Sequence, residues 1–333
     1  TDSASFMAHG FDPDLATWSP FHGAVYAVLL SVTRLVAMGA DWRKAYLTLQ
    51  EYFEKLTDKT SWGKPAAALL GAFHMQEALG LGAIGGKDSM SGTFNDIHVP
   101  PTLVSFAIAP GKASEAVSQE LKKEGDVLVL FGMPKDKEGM PDLDVFKKHA
   151  DFLYQEVKAG HVAAMKAVDH GGVAVTAAKM AFGNGLGIRF TENLPLPKFF
   201  GNFYGAIIVE TTPEEAERFA KEPHTKILGT VGGKTMEAYG ETISLADLLT
   251  AYEKPLDSIF PRRAASIEKP APVLPEVSAI PQFYVHTNLP RPRVFIPTMP
   301  GNNCEVDSAR AFERAGAVSD IFIFRNRDSA ELK

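Results

Sequence analysis

Between Gly23 and Met38 the chain carries a helix-length run that leaves its surroundings little choice. Val25, Val28, Leu29, Val32, Leu35 and Val36 recur at helical spacing, and Gly39 follows as a stop. A helix this apolar on nearly every side is stable only when buried, here expected against a sheet. Covering it takes a substantial core. The 333 residues are 45% hydrophobic and 22% charged, the make-up of an ordinary globular protein. Their length suits roughly two to three domains.

The elements expected around that helix alternate. Residues 1–20 hold turn signals at Gly10, Asp12-Pro13 and Ser19-Pro20 but no capped element. Residues 41–56 and 64–79 read as further helices, and 81–85 and 103–109 as strands flanking a Gly-rich loop. Beyond Pro110-Gly111 the texture changes. Residues 113–124 read as a short helix or connector, 126–132 as a buried strand and 142–159 as an amphipathic helix. A helix at 173–182, strands at 204–210 and 226–231, and a helix at 244–252 follow. Thr212-Pro213-Glu214-Glu215 is a helix start, with a capping threonine and acids in the first turn. This alternation is α/β and α+β, with a first domain over 1–112 and a second over 113–268. Residues 269–292 are proline-dense and read as a linker. A strand at 293–297, a helix at 306–315 and a strand at 320–324 then open a βαβ unit within 293–333. Without the rest of its sheet such a unit has faces it cannot bury, so the chain is expected to be part of a longer polypeptide.

Composition narrows the function classes. A formal charge of −6 argues against nucleic acid or an anionic membrane as the main partner. No signal-like segment opens the chain, and no apolar run approaches the ~18 residues of a membrane span. One cysteine excludes an internal disulfide framework and suits the cytoplasm. The nine histidines are scattered without metal-ligand spacing, which argues against a zinc or haem centre.

Four stretches carry candidate chemistry. In Gly85-Gly86-Lys87-Asp88-Ser89-Met90-Ser91-Gly92-Thr93, paired glycines let backbone amides approach a ligand, with a fixed charge and hydroxyl donors beside them. That is what a phosphate needs, and it is equally the make-up of a polar hairpin. Asp169-His170-Gly171-Gly172 precedes a helix and reads as an anion site or, preferably, as a helix N-cap with glycine allowing close packing. His170 is an acid–base candidate that nothing nearby in sequence orients. Cys304 lies ahead of a helix, where a thiolate is stabilised. With no His-Glu or His-Asp partner before residue 333, it reads instead as a small packed residue. Gly183-Asn184-Gly185-Leu186-Gly187 lacks the Lys-Ser/Thr of a Walker loop and reads as a helix-to-strand joint. The aromatic stretch 199–204 reads as core rather than a base-stacking platform.

Taken in order, these pieces form a series. It runs Leu-Val-Ala-Met-Gly-Ala (35–40), Gly-Gly-Lys-Asp-Ser-Met-Ser (85–91), Pro-Pro-Thr-Leu-Val (100–104) and Gly-Asp-Val-Leu-Val-Leu-Phe-Gly (125–132). Asp-His-Gly-Gly-Val-Ala-Val-Thr-Ala-Ala-Lys-Met-Ala-Phe (169–182) and Pro-Gly-Asn-Asn-Cys-Glu (300–305) complete it. The series resembles the second synthetase half and the opening of the glutaminase domain of phosphoribosylformylglycinamidine synthases of the large, single-chain form. The resemblance implies an aminoimidazole ribonucleotide synthetase-like two-domain unit, its first domain incomplete, followed by the βαβ opening of a glutaminase. It also implies an ATP- and glutamine-dependent ligase of purine biosynthesis. ATP activates formylglycinamide ribonucleotide as an iminophosphate, and glutamine-derived ammonia displaces phosphate. ATP and Mg²⁺ are the implied cofactors, and the remaining domains of the same polypeptide the implied partners.

Carried over by position, Gly85, Gly86, Lys87 and Asp169 fall near ATP, and Ser89 and Ser91 on substrate. Lys87 stands in a metal ligand's place and neutralises phosphate instead. Asp88 and Asp169 remain as metal candidates. Leu30 and Arg34 stand where nucleotide-binding members carry Glu and Asn, and Ala167 where some carry Asp, so one nucleotide site looks degraded. Cys304 is not the glutaminase nucleophile, and no catalytic residue falls in this stretch, which is expected to be inactive alone. Two alternatives are a non-catalytic structural half and another synthetase of the superfamily, such as aminoimidazole ribonucleotide or selenophosphate synthetase. The tail from Arg293 speaks against the latter.

Overall fold

The computed structural model describes residues 2–191, 194–261, 291–299, 302 and 304–324, which fall in two units divided between Ala264 and Ala265. In the larger unit, β1 (Ser3–Gly10) and the short α1 (Pro13–Trp18) lead into α2 (Pro20–Ala37). β2 (Tyr46–Tyr52), α3 (Lys59–Leu79) and β3 (Ala83–Lys87) follow. A two-residue hairpin, β4 (Thr93–Phe94) and β5 (Ile97–His98), then precedes the long β6 (Thr102–Lys112). These strands form a four-stranded sheet in the order β1-β6-β2-β3, antiparallel except for the parallel β2–β3 pair.

α2 lies on this sheet as its apolar pattern requires, with Val25, Val28, Leu29, Val32 and Leu35 fully buried. It packs on β1 and β6 and beside α3. Two glycines permit the approach. A Cβ on Gly10 would lie 2.1 Å from the Ala27 carbonyl, and one on Gly71 of α3 would lie 2.2 Å from the Phe21 carbonyl. Inside the interface Ser31 meets Ser105 of β6 at 2.9 Å. The 18 residues of α2 are long and apolar enough to cross a membrane by length and composition, which corrects the expectation that no run is. Here 78% of them are buried by the chain itself.

Two further expectations are corrected. Residues 1–20 do carry elements: β1, and an α1 capped by the Asp12 carboxylate on the Asp14 and Leu15 amides. Residues 41–56 are not a helix. A single 3₁₀ turn, Trp42–Lys44, gives way to β2, whose Leu47 and Glu51 face the core while Tyr46 and Tyr52 face out. Pairing with β3 and β6 on both sides outweighs the helical spacing of Trp42, Ala45, Leu49 and Phe53.

The second sheet is built from β7 (Val127–Phe131), β8 (Ala164–Ala167), β9 (Ile188–Phe190), β10 (Ile207–Thr211), β11 (Thr225–Val231), β12 (Thr235–Ala238) and β13 (Glu241–Ser244). Its order is β13-β12-β9-β11-β7-β10-β8. α4 (Leu143–Ala159), α5 (Gly172–Asn184), a short α6 (Leu196–Phe200), α7 (Pro213–Phe219) and α8 (Leu245–Glu253) complete it. The expected Thr212 cap on α7 is present, accepting from the Glu215 amide. The glycines at 183–187 join α5 to β9, Phe199 and Tyr204 are buried, and Phe200 is exposed. Glu210, fully buried in β10, accepts from the amides of Lys122 and Lys123 and so pins the connector between the sheets.

In the smaller unit β14 (Arg293–Thr298) and β15 (Val318–Ile323) pair in parallel around α9 (Glu305–Arg314), a βαβ unit. Cys304 precedes α9 at φ +68°, exposed and free. The linker expected at 269–292 lies almost wholly outside the described residues.

Alanine is the better helix former by about 1 kcal/mol, yet Gly71→Ala is expected to destabilise, because its methyl must push α3 off the Phe21 carbonyl. A rise in urea midpoint would refute the packing described.

Candidate functional site

The Gly-rich stretch begins inside the sheet. Gly85, Gly86 and Lys87 pair with Thr48, Leu49 and Gln50 as the last residues of β3, where the sequence suggested a loop. Gly86 is required there by packing, since a Cβ would lie 2.2 Å from the Leu49 carbonyl, whereas one on Gly85 would meet only Thr48 Cγ2, at 4.0 Å. The chain then turns and is fastened again. The Ser89 amide donates to the Glu51 carbonyl at 3.0 Å, and the Phe53 amide donates to the Ser89 carbonyl at 2.9 Å. Gly92 donates to the Phe53 carbonyl at 3.0 Å, so the turn is fastened at Ser89 and Gly92 to the end of β2 and the residue after it.

That turn presents the hydroxyls of Ser89 and Ser91 to each other at 3.2 Å, with Ser91 exposed. Lys87 lies over the Tyr52 ring, 5.2 Å from its centre. Two hydroxyl donors and one ammonium on a fixed backbone suit a phosphate group. Behind them stands Glu51, which lay hidden in an expected helix. It is 5% exposed, and its Oε1 has no hydrogen-bond partner. Burial, reinforced by the charge of Asp88, pushes its carboxyl up to about 7. Asp88 itself is exposed.

Asp169 sits elsewhere. Its Oδ2 accepts from Arg34 of α2 at 2.9 Å, and Arg34 also donates to the His9 carbonyl at 2.8 Å. The Lys179 ammonium lies 3.7 Å from Oδ1, an atom that is buried and makes no hydrogen bond. Asp169 does not cap α5, as the preferred reading had it: Gly171 holds the cap position with no side-chain bond. Gly172 does serve close packing, since a Cβ would lie 2.5 Å from the Gly201 carbonyl. Beside the ion pair a cavity of about 580 Å³ runs between β1 and β8, lined by His9, Gln119 and Lys166 among others. Burial lowers the pKa of both His9 and Lys166.

Asp169 and the Gly85–Lys87 segment are therefore at different places. Arg34 ties Asp169 to β1, while the segment belongs to β3. These are opposite edges of one sheet, three strand spacings or about 14 Å apart.

His170 acquires a neighbour the sequence did not reveal: Asp12 Oδ1 lies 3.9 Å from its Nε2. Asp12 is buried and accepts from the Tyr204 hydroxyl at 2.6 Å and Asn202 at 3.1 Å. Burial pushes the Asp12 carboxyl up, but the Tyr204 bond, the α1 amides and the charge of His170 hold it below its ordinary value. Asp12, Asp14 and His170 bring ligand-type atoms within 4.8 Å of one another, as do Glu156, His161 and Glu215. In the second group Arg218 already supplies the positive charge.

Two outcomes test this geometry. Arg34→Ala leaves a buried carboxylate short of its main partner and is expected to cost about 2 kcal/mol in denaturant unfolding; an unchanged midpoint would show the pair to be idle. Glu51 holds a proton in the folded chain that it loses near pH 4.5 when unfolded. Stability from this group therefore falls as pH rises from about 4.5 to about 7 and is flat beyond. Glu51→Gln should remove that slope, as urea midpoints at pH 5 and pH 8 would show.

No protein-family model matches the chain. The PurL subunits of phosphoribosylformylglycinamidine synthase from Brucella ovis and Brucella canis are each 26% identical to it over 270 residues, 70% of this chain and 35% of theirs. The chain thus spans about a third of the length of these relatives. Among solved structures, Thermotoga maritima PurL complexed with FGAR aligns with a TM-score of 0.60 at 14% identity, over 74% of this chain and 46% of that one. The same protein complexed with ATP gives 0.59 at 15% identity, over 73% and 43%. Hydrogenase maturation protein HypE in complex with ATP gives 0.52 at 17% identity, over 74% of this chain and 84% of that one. In sequence and in fold, the chain is similar to the PurL subunit of phosphoribosylformylglycinamidine synthase.

Proposed function

We propose that this chain is the substrate-holding half of an ATP-dependent carbon–nitrogen ligase that converts formylglycinamide ribonucleotide to formylglycinamidine ribonucleotide. The observation that carries the reading is the turn after β3, where Lys87, Ser89 and Ser91 are gathered on a backbone fastened to β2. The substrate's phosphate monoester takes its hydrogen bonds from the two hydroxyls and its counter-charge from Lys87. Holding that end fixed presents the amide for attack without further loss of rotational freedom. ATP phosphorylates the amide oxygen, and ammonia from glutamine then displaces phosphate to leave the amidine. Those groups are supplied by the remaining domains of a longer polypeptide, with the βαβ unit at 293–323 as the start of its glutaminase. Cys304 lies exposed ahead of α9 in that start, and the nucleophile is supplied by the remainder of the glutaminase.

A magnesium–nucleotide does not fit at Asp169. Its carboxylate already faces Arg34 and Lys179, and a divalent ion there would be repelled by both. Leu30 and Ala167, which add no ligand atoms, agree with this. The Arg34–Asp169 pair therefore favours a structural rather than nucleotide-binding role for this part of the half. The open face of the first sheet supports a partner domain. Met7, Tyr46, Tyr52 and Phe106 are exposed on it together, a patch suited to a second sheet packed face to face.

Calorimetric titration with formylglycinamide ribonucleotide tests the reading. Binding that Ser89→Ala weakens roughly tenfold or more is expected. If neither this chain nor the full-length protein shows a Ser89-dependent affinity, the turn is not the substrate site.

A further inference from the structure

Lys87 is the fixed charge of the turn after β3, yet no acid holds it. Among the described residues its ammonium forms no ion pair. A lysine stem left to itself samples many rotamers, and binding an anion then costs the entropy of ordering it. The ring of Tyr52 stands where a counter-ion would. Its centre is 5.2 Å from the ammonium, within the reach of a cation–π contact.

Strand geometry makes this contact. Successive residues of β2 face opposite ways, so Gln50 and Tyr52 stand on the side away from the buried Glu51. β3 runs parallel to β2 with Lys87 opposite Gln50, which puts Lys87 on that same side, one strand over. Gly85 agrees with the alignment, since a Cβ there would come nearest to Thr48, its own partner in the pairing. Gln50 Nε2 then donates to the Tyr52 hydroxyl at 2.8 Å and fixes the ring by its far end. Gln50 sets Tyr52, and Tyr52 sets Lys87.

The kind of partner matters. A carboxylate would also hold the ammonium, but it would cancel the charge that a phosphate needs, as Arg34 and Asp169 cancel each other. An aromatic ring carries no net charge. It engages one side of the ammonium and leaves N–H donors on the other side for an anion. We infer that Tyr52 is a positioning residue for the substrate's phosphate, acting through Lys87 and itself held by Gln50. The inference rests on the reading of the turn as the site of that phosphate. The Tyr52 hydroxyl is engaged with Gln50, so the role falls to the face of the ring.

Calorimetric titration of the full-length protein with formylglycinamide ribonucleotide tests this as a cycle. Tyr52→Leu should weaken binding about fivefold, and Tyr52→Phe, which keeps the ring, should stay within about twofold of the parent. Lys87→Ala should cost about tenfold, and adding Tyr52→Leu to it should cost nothing more, because the ring then has no ammonium to hold. A second readout needs no ligand. With lysines carrying ¹³C-labelled methyl groups, the Lys87 resonance, identified by its loss in Lys87→Arg, should move in Tyr52→Leu and stay in place in Tyr52→Phe. If Lys87→Ala and Ser89→Ala weaken binding while Tyr52→Leu does not, the inference falls and the reading of the turn stands. A Tyr52→Leu loss of the same size with and without Lys87, a Tyr52→Phe protein as weak as Tyr52→Leu, or an unmoved Lys87 resonance overturns it equally. If none of these variants changes the affinity, the turn is not the substrate site and both fall together.

Discussion

A helix with no polar face has to be enclosed, and in the larger unit the enclosure of α2 sets the position of nearly everything else. The first sheet covers it from one side through β1 and β6, α3 lies alongside, and β8 and α4 reach it from the second sheet. Each buried valine or leucine contributes about 1.5–3 kcal/mol, so the helix is a large share of what holds both sheets together. Its few polar groups are spent as ties. Tyr26 donates to the Gly139 carbonyl at 2.5 Å, and Arg34 reaches Asp169, both more than a hundred residues away. Where α2 lies decides where Asp169 lies.

The counter-charge at Asp169 follows from that placement. A buried carboxylate needs a counter-charge, and its identity determines what else can bind. A metal ion would leave coordination positions open for phosphate oxygens, whereas the Arg34 guanidinium, which gives one hydrogen bond to the carboxylate and one to the His9 carbonyl, offers no coordination position at all. With Lys179 also at hand, the site is compensated from within the chain. The turn at Ser89 differs: its hydroxyls face each other and solvent, and the one buried acid behind them, Glu51, stays neutral over part of the physiological range.

Legibility in the sequence tracked the range of the interaction. α2, α4 and α5 were readable because their periodic apolar faces and terminal glycines are local, and the Thr212 cap because its partner is three residues on. β2 was misread because Trp42, Ala45, Leu49 and Phe53 imitate a helix, and only strands supplied by residues 83–87 and 102–112 make the segment extended. The site divided in the same way. Lys87, Ser89 and Ser91 fall within five residues of one another, a local pattern. Asp12 depends on Tyr204, 192 residues later, and the partner of Asp169 is 135 residues earlier. An acid at a core-facing strand position, two residues after Leu49, was the available signal for Glu51, and it is visible only once the segment is taken as a strand.

The position of β3 explains why the turn is well built and yet open. β3 is the last strand of its sheet, paired on one side only, and all five of its residues are exposed. An edge strand keeps half of its amides and carbonyls unpaired, which natural sheets usually cover or blunt. Here the free edge ends in Gly85-Gly86-Lys87, and its glycines leave the backbone bare of side chains. The rigid part of the turn, the stitching from Ser89 to Glu51 and Phe53, comes from within the chain. Among the described residues no strand pairs with the far side of β3. On the proposed reading this arrangement fixes the donors before the substrate's phosphate arrives, and their hydrogen bonds strengthen to the extent that water is kept from that edge.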